Sequence, residues 1–312
     1  MVVCGACGHK SFIPGDLAPF ATVPCSRCGH PIMVPILLRQ FELRSIIASG
    51  GMGTVYRAFD VKLHREVALK MMKREVAQDA EVMDAFYREA RAGAALNHTN
   101  IIHIYTFDEF DGQPYLVMEL ADQGSLDTMI AELGRVPELK VLDVGVKVAS
   151  ALDTALKHNL LHRDIKPGNI LFNNMGEPKL VDFGLARKAE ADNEYEATVW
   201  GTPYYVAPEK INRQPETFLS DMYSLGGTLY HALTGHVPFE APTVEELVLA
   251  QVHTPLTPPK EVVPEISRRT SEALQIAMAK RPAQRFQSYD EFIGTLEAAR
   301  SHLLIEKYNQ PA

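Results

Sequence analysis

The sequence has no cysteine after residue 28, a single tryptophan, no excess of positive charge and no long hydrophobic run. Its formal net charge of -8 argues against a broad electrostatic surface for nucleic acid or anionic membranes. The longest apolar candidate, residues 31–38, contains two prolines and is shorter than the roughly 18 residues needed to cross a bilayer. The N-terminus also lacks the basic and apolar regions of a secretory signal, so we expect a cytoplasmic chain without a membrane span.

All four cysteines lie near the N-terminus, in two Cys-x2-Cys pairs separated by seventeen residues. In a reducing compartment this clustering favours metal binding over disulfides, and the spacing is typical of a four-cysteine zinc site. Both pairs occupy the same hexapeptide frame: Cys4-Gly5-Ala6-Cys7-Gly8-His9 and Cys25-Ser26-Arg27-Cys28-Gly29-His30. With this repeat, residues 1–35 resemble a zinc ribbon.

A segment of about 35 residues cannot bury enough apolar surface to fold unaided, so a structural zinc would supply much of its folding free energy. Iron in a rubredoxin-like site is the competing interpretation, because both metals accept four thiolates. We expect His9 and His30 to be surface residues rather than ligands. The predicted apolar cover of the module is Phe12, Ile13, Phe20 and Ile32.

The role of the ribbon is open at the level of sequence. Lys10 and Arg27 are its only clear cations and Asp16 offsets one of them, so nucleic-acid binding is disfavoured. Protein docking, self-association and a purely structural cap remain as alternatives.

The strongest chemical signal is a run of charged and amide groups followed by a short acidic motif. Phosphoryl transfer needs a base near the acceptor hydroxyl, oxygen ligands for a metal on the phosphates, and cations around the developing charge. The two strings are His162-Arg163-Asp164-Ile165-Lys166-Pro167-Gly168-Asn169 and Asp182-Phe183-Gly184. They resemble the catalytic and metal-binding loops of the protein kinases, with Ile165 in place of leucine.

The resemblance covers about residues 41–300 and implies an α+β, bilobal protein kinase fold. We therefore expect a zinc-ribbon-like module at residues 1–35, a kinase domain at residues 36–300 and a C-terminal tail at residues 301–312. The small β-rich N-lobe would comprise about residues 41–120, and the large helical C-lobe about residues 121–300.

The same resemblance implies a role for each catalytic candidate. Asp164 would accept the proton of the substrate hydroxyl, and Lys166 would steady the transferring phosphoryl group. Asn169 and Asp182 would bind Mg2+, or Mn2+, on the phosphates of ATP. Lys70 matches the family's lysine that contacts the α- and β-phosphates.

Local periodicity supports the orientation expected for Lys70 and for its predicted partner, Glu89. A strand period of two puts Lys70 on the opposite face from Leu69 and Met71. A helical period over roughly residues 81–96 puts Glu89 on an inward stripe. An inward carboxylate needs a cation, and the resemblance supplies Lys70.

The strand-turn-strand pattern at residues 46–55 matches the kinase glycine-rich loop, whose backbone can approach the phosphates. Ala48 replaces the first glycine of that pattern, which is tolerable if the backbone keeps a negative φ. Residues 115–120 resemble the hinge that binds adenine, with Met118 as gatekeeper. The complete set of predicted nucleotide contacts is Ala48, Ser49, Gly50, Gly51, Met52, Gly53, Val55, Ala68, Lys70, Glu89, Met118, Glu119 and Ala121.

Regulation is also predicted from the resemblance. A lysine at position 166 together with a threonine at position 202 resembles the pattern of serine/threonine kinases rather than that of tyrosine kinases. Arg163 marks the subclass whose activation segment is often ordered by phosphorylation. Thr198 is the predicted phosphorylation site, with Tyr195 and Thr202 as alternatives and an unmodified segment as the competing interpretation.

Three further residues are expected to be structural: Asp221 would brace the catalytic loop, and Arg285 would pair with Glu209. The function that the sequence predicts is ATP-dependent transfer of a phosphoryl group to protein Ser/Thr hydroxyls, with autophosphorylation, in a bacterial-type kinase. A nucleotide-binding pseudokinase scaffold that docks partners through its ribbon is the alternative. The third possible function is a zinc-ribbon nucleic-acid adaptor in which kinase activity is secondary.

Overall fold

The computed structural model describes residues 2–4, 6–12, 22–34, 36–50, 53–74, 79–183, 187–188 and 203–309. Two compact units divide the chain. One holds Met1–Ala90 and His103–Asp122, and the other holds Arg91–Ile102 and Gln123–Ala312. The division passes through helix α1 (Ala80–Ala95), so this helix contributes a part to each unit.

The first unit begins with two small antiparallel hairpins that carry the cysteine pairs. In each, the N–H of the first cysteine donates to the carbonyl of the histidine that ends the frame, at 2.8 and 2.7 Å. Gly8 and Gly29 have left-handed φ values of 69° and 74°, which glycine adopts without a steric cost. The strands are β1 (Val2–Val3) with β2 (Lys10–Ser11), and β3 (Thr22–Pro24) with β4 (Pro31–Met33).

The apolar cover of these hairpins differs in part from the prediction. Ile32 is buried in one cluster with Cys4 and Cys25, as expected. The prediction for Phe12 is wrong, because its side chain is 76% exposed. Ser11 is buried in its place, and successive side chains of a strand point to opposite faces. Ile13 and Phe20 lie outside the described residues.

A six-stranded antiparallel sheet follows in the first unit, in the order β5-β6-β7-β8-β10-β9. One face holds a cluster that includes Leu43, Val67 and Leu69. The other face packs Met72 and Leu116 against Phe86 of α1. The strands are β5 (Ile36–Leu38), β6 (Phe41–Ser49), β7 (Gly53–Asp60), β8 (Arg65–Met72), β9 (Ile104–Phe110) and β10 (Gln113–Met118).

Strand β4 belongs to two hydrophobic clusters at once. Ile32 lies in the cluster of the cysteine hairpins. The next residue, Met33, is 4% exposed and lies in the sheet cluster with Leu43 and Leu69. The alternation of side chains along a strand explains this division. The ribbon and the sheet are therefore joined by packing as well as by the chain.

The second unit is mainly helical and surrounds one large hydrophobic core. Its helices are α2 (Leu126–Leu133), α3 (Glu138–Lys157), α4 (Pro208–Ile211), α5 (Phe218–Thr234), α6 (Val244–His253), α7 (Pro259–Val262), α8 (Arg268–Ala277) and α9 (Tyr289–Asn309). Its short strands are β11 (Leu160–Leu161), β12 (Ile170–Phe172), β13 (Pro178–Leu180) and β14 (Arg187–Lys188).

Helix α1 covers nearly the predicted range, whereas α9 continues to Asn309, so the expected boundary at residue 300 falls inside a helix. Within the described part of the chain, no helix combines the length and apolar character that crossing a bilayer requires.

Candidate active site

Asp164 is the centre of a compact polar cluster in the loop that follows β11. Its Oδ2 atom accepts a hydrogen bond from Lys166 Nζ at 2.7 Å and another from Asn169 Nδ2 at 3.0 Å. Asn169 Nδ2 also donates to the backbone carbonyl of Asp164 at 2.8 Å. Three of the predicted catalytic residues are thus held together by direct contacts, while the Asp164 side chain keeps 29% of its surface exposed to a ligand.

Asp221 holds the backbone of this loop from helix α5, as predicted. Its two carboxylate oxygens accept the N–H groups of His162 and Arg163, both at 2.8 Å. Burial is the largest influence on Asp221 and raises its pKa, although His162 and the two N–H groups oppose that shift. Arg163 has a φ of 69°, which is unusual for a residue other than glycine, so the loop needs such an anchor.

A hairpin connects the two predicted metal ligands. Strands β12 and β13 pair antiparallel, and Val181 N–H donates to the Asn169 carbonyl at 3.0 Å. Because both side-chain hydrogen bonds of Asn169 use Nδ2, its amide oxygen is the atom left for a metal ion. Asp182, one residue beyond Val181, adds a carboxylate. One amide oxygen and one carboxylate suit a magnesium-type ion, which keeps several waters.

The Asp182-Phe183-Gly184 motif is described in part. Asp182 has a left-handed φ of 70°. Phe183 is 2% exposed, and its ring packs edge-on against that of His162, with the centroids 4.7 Å apart. His162 Nε2 lies 2.9 Å from the Val181 carbonyl. His162 therefore links the catalytic loop to the motif, whose Gly184 lies outside the described residues.

Lys70 lies in β8 of the first unit, between β7 and β10, and pairs in register with Val55 and Leu116. Its Nζ is 5.9 Å from the centroid of the Phe86 ring in α1. The predicted alternation is confirmed, because Leu69 and Met71 enter the cluster on the opposite face. Glu89 is in α1, but its side chain lies outside the described part, so its pairing with Lys70 stays a prediction.

The glycine-rich turn joins β6 to β7, and Gly50 N–H donates to the Gly53 carbonyl at 2.9 Å. Ala48 pairs with Val55 within the extended strand, where alanine carries no strain. Ser49 Oγ lies 3.2 Å from Thr54 Oγ1. Gly51 and Met52 lie outside the described residues. The replaced first glycine is therefore compatible with this turn.

Gly53 is required by packing. A Cβ atom at this position would lie 2.4 Å from the carbonyl oxygen of Met71, a backbone atom of β8. We therefore expect Gly53→Ala to lower the free energy of unfolding by about 1–3 kcal/mol, measured by urea denaturation. Gly50→Ala is the matched control, since a Cβ atom added there would meet nothing within 4 Å. Equal losses in both variants would contradict this explanation.

The predicted hinge, residues 115–120, takes in the end of β10 and the two residues after it. Glu119 N–H donates to the His103 carbonyl at 2.8 Å, so adenine contacts at Glu119 would have to use its own carbonyl. Met118 packs beside Met72 and Leu116, and Ala121 is buried. An ion pair between Arg57 of β7 and Asp122, which the sequence reasoning missed, ties a strand of the glycine-rich turn to the end of the hinge.

The predicted pair of Glu209 and Arg285 is confirmed. Arg285 donates from Nη1 and Nη2 to the two carboxylate oxygens at 2.7 and 2.8 Å, and Ser220 Oγ adds a third hydrogen bond at 2.7 Å. Both charged side chains are buried. Burial alone would raise the pKa of Glu209, but Arg285 outweighs it and holds that pKa below its usual value.

We expect Glu209→Gln to lower the free energy of unfolding by about 3–5 kcal/mol at neutral pH, because Arg285 would keep a buried, uncompensated charge. A carboxyl group with a depressed folded-state pKa stabilises the fold above its unfolded pKa, and this stabilisation is lost as the pH falls through the folded value. Urea titrations should therefore show the two proteins converging in acid. Glu272→Gln, in an exposed pair with Arg268, is the control and should have no measurable effect. A constant difference down to strongly acidic pH would contradict the assignment.

The four cysteine sulfurs lie within 4.8 Å of one another and are not joined as disulfides. Two Sγ to Sγ distances are 3.7 Å, from Cys4 to Cys28 and from Cys7 to Cys25. Four sulfurs arranged tetrahedrally at about 2.3 Å from a zinc ion would be about 3.8 Å apart. The donor set therefore fits a tetrahedral metal ion. His9 and His30 are not members of the cluster.

Backbone groups support negative charge on this cluster. The N–H of Arg27, 3.4 Å from Cys25 Sγ, and then that of Cys28 lower the pKa of the Cys25 thiol to about 6. The pKa of Cys28 is raised to about 12 despite a backbone hydrogen bond from His30, because its hydrogen bond with Cys7 and burial disfavour a second thiolate. A cation would remove that cost.

A cavity of about 180 Å³ in the second unit is lined by Asp164 and Lys166 together with Pro203 and Tyr205. Pro203 and residues 205–207 thus form part of the surroundings of the predicted base. The predicted regulatory residues Thr198, Thr202 and Tyr195 lie outside the described residues.

The comparison with protein families agrees with this geometry. The protein kinase domain matches residues 41–293, and the chain belongs to this family. Membership implies ATP and a divalent metal ion as cofactors, and the arrangement of Asp164, Asn169 and Asp182 fits that requirement.

Similar proteins include serine/threonine-protein kinases PknA and PknL of Mycobacterium tuberculosis, which are 36% and 34% identical over 268 and 283 residues. These alignments cover 84% and 90% of this chain, and 62% and 71% of the relatives. A probable serine/threonine-protein kinase of Clostridium perfringens is 34% identical over 84% of this chain. The chain spans 38% of that protein and 45% of a Corynebacterium efficiens relative.

Proposed function

We propose that the protein is an ATP-dependent serine/threonine protein kinase. The observation that carries the proposal is the cluster in which Lys166 and Asn169 both hydrogen-bond to one carboxylate oxygen of Asp164. The names of the relatives support the choice of serine and threonine as acceptors. So does Lys166, two residues after the proposed base, in the pattern typical of that class.

Each residue of the site has a defined task in this proposal. ATP, when bound, would supply the γ-phosphoryl group and leave as ADP when its bond to the β,γ-bridging oxygen breaks. Asp164 accepts the proton of the acceptor hydroxyl and orients that oxygen. Lys166, whose Nζ is 2.7 Å from Asp164 Oδ2, steadies the transferring phosphoryl group with its positive charge. Asn169 and Asp182 hold Mg2+, for which Mn2+ could substitute.

The first unit contributes the nucleotide contacts. Lys70 binds the α- and β-phosphates and is oriented by Glu89. The backbone of the turn from Gly50 to Gly53 covers the phosphates. Glu119 and Ala121 contact adenine through backbone groups.

Regulation by autophosphorylation is part of the proposal. A phosphate on Thr198 would pair with the guanidinium of Arg163, which lies next to the proposed base. Thr202 would then pack near Asp164 and Lys166. Active enzyme that carries no phosphate on residues 185–209, by mass spectrometry, would reject this part.

The cysteine cluster is proposed to hold a structural zinc ion within a module of residues 1–35. Protein docking or self-association through this module is the proposed use, with the kinase domain following it. Nucleic-acid binding is less compatible with its few cations.

The test of the main proposal is transfer of radiolabelled phosphate from Mg-ATP to a basic protein, followed by phosphoamino-acid analysis. Label on serine and threonine supports the proposal, and label on tyrosine would contradict the acceptor class. Nucleotide binding without any transfer would instead favour the pseudokinase scaffold.

A further inference from the structure

Gln251 is a fully buried amide whose hydrogen bonds lead towards the active-site cavity. It lies in α6 with 0% of its surface exposed. Its Nε2 donates to the carbonyls of Tyr204 at 2.6 Å and Pro203 at 3.1 Å. Its Oε1 accepts a hydrogen bond from the Tyr223 hydroxyl at 2.7 Å. A buried amide is costly unless it is paired in this way.

The surrounding groups fix the orientation of this amide. The Tyr223 hydroxyl donates to Oε1, which directs Nε2 towards the two carbonyls. The Tyr223 ring is itself covered by the guanidinium of Arg285, 4.9 Å from the ring centroid. Lys280 Nζ donates to the backbone carbonyl of Gln251 at 2.6 Å and so holds the end of α6. Hydrogen bonds therefore hold both the side-chain amide of Gln251 and its backbone carbonyl.

Of the two anchored residues, Pro203 lines the cavity beside the proposed base, and Tyr204 lies between Pro203 and another lining residue, Tyr205. Pro203 and Tyr205 share that lining with Asp164 and Lys166. The Tyr205 hydroxyl is also anchored, 2.7 Å from His231 Nδ1. Burial lowers the pKa of His231, so its neutral ring can accept this hydrogen bond. Residues 203–205 are thus positioned by side chains from α5 and α6.

We infer that Gln251 is a positioning residue for the protein acceptor. By fixing Pro203 and Tyr204, it sets the surface against which the acceptor chain lies while its hydroxyl reaches Asp164. This role rests on the proposed kinase function. It affects binding of the acceptor and leaves binding of ATP unchanged, because the hydrogen bonds of Gln251 go to Pro203, Tyr204 and Tyr223 rather than to a proposed nucleotide or metal ligand.

The test compares Gln251→Met with wild type. Methionine has nearly the size of glutamine but neither donates to the carbonyls nor accepts from Tyr223. Steady-state kinetics with an arginine-rich peptide that contains one serine should show a KM for the peptide raised about tenfold, as expected when the three side-chain hydrogen bonds of Gln251 are lost. The KM for ATP should stay within about twofold. Gln275→Met is the matched control, since its amide bonds to Ser271 within α8, away from the cavity.

Hydrogen exchange measured by mass spectrometry supplies a readout that does not depend on activity. Exchange in residues 203–210 should rise in Gln251→Met and stay at the wild-type level in Gln275→Met. Gln251→Glu keeps the acceptor for Tyr223 but places a negative charge beside the carbonyls, and should raise the peptide KM at least as much.

If wild type is active and folded Gln251→Met has the same KM for the peptide, this inference is overturned while the proposed function stands. Equal rises in the KM for peptide and for ATP would do the same, because they indicate general damage. Wild type that transfers no phosphate would overturn the proposed function as well.

Discussion

Replacing Asp164 by asparagine is expected to reduce phosphate transfer by a factor on the order of 10² to 10⁴. The change keeps the size of the side chain but removes the charge that accepts the proton. It also weakens the hydrogen bonds that Lys166 Nζ and Asn169 Nδ2 make to Oδ2, at 2.7 and 3.0 Å. The rate of label transfer from Mg-ATP to a basic protein measures the effect.

The control for this variant is Asp153→Asn, on helix α3, where the carboxylate pairs with Lys157 one helical turn away. It should transfer phosphate at the wild-type rate, and both variants should bind nucleotide with unchanged affinity. Equal background transfer by wild type and Asp164→Asn would show that the measured activity comes from a contaminant. The protein would then be better described as a nucleotide-binding pseudokinase scaffold.

Replacing Cys25 by serine is expected to remove almost all of the metal from the ribbon and to unfold its two hairpins, β1 with β2 and β3 with β4. Cys25 is buried, and the hydrophobic cluster around it is small. Structural zinc supplies apparent binding free energies of about 10–16 kcal/mol in isolated zinc fingers, far more than such a cluster can. Elemental analysis should find one zinc per wild-type chain, and hydrogen exchange should show protection lost in the variant.

His30→Ala is the matched control, because His30 is exposed and outside the sulfur cluster. It should retain one zinc per chain. Full zinc content in Cys25→Ser, or loss of zinc in His30→Ala, would contradict the four-cysteine site. Iron in place of zinc in the wild type would favour the rubredoxin-like alternative.

Local patterns predicted those features whose causes are local. The side-chain alternation of β8 placed Lys70 correctly, because a strand has a fixed period of two. The turn from Gly50 to Gly53 follows from its glycines. Phe12 was misplaced because the pairing of β1 with β2, and not the hydrophobicity of the residue, decides which face of that hairpin is buried.

Contacts between distant residues needed other information. Glu209 and Arg285 are 76 positions apart, and only the resemblance to the kinases predicted their pairing. Gln251 was missed altogether, because its partners lie 28, 47 and 48 positions away. A glutamine within the amphipathic pattern of α6 carries no local sign that it is buried. Such residues emerge only when packing brings three segments together.

The packing of Met33 limits how the ribbon could be separated from the six-stranded sheet and joined to another kinase. A kinase domain excised at residue 36, where the sequence places the boundary, would lose Met33, a side chain of its own sheet cluster with Leu43 and Leu69. A cut before Met33 would keep that side chain but would divide β4, in which Met33 pairs with Thr22 of β3. Neither cut yields an independent module. A ribbon grafted onto another kinase would therefore need a space for the Met33 side chain in the hydrophobic cluster of that kinase's sheet.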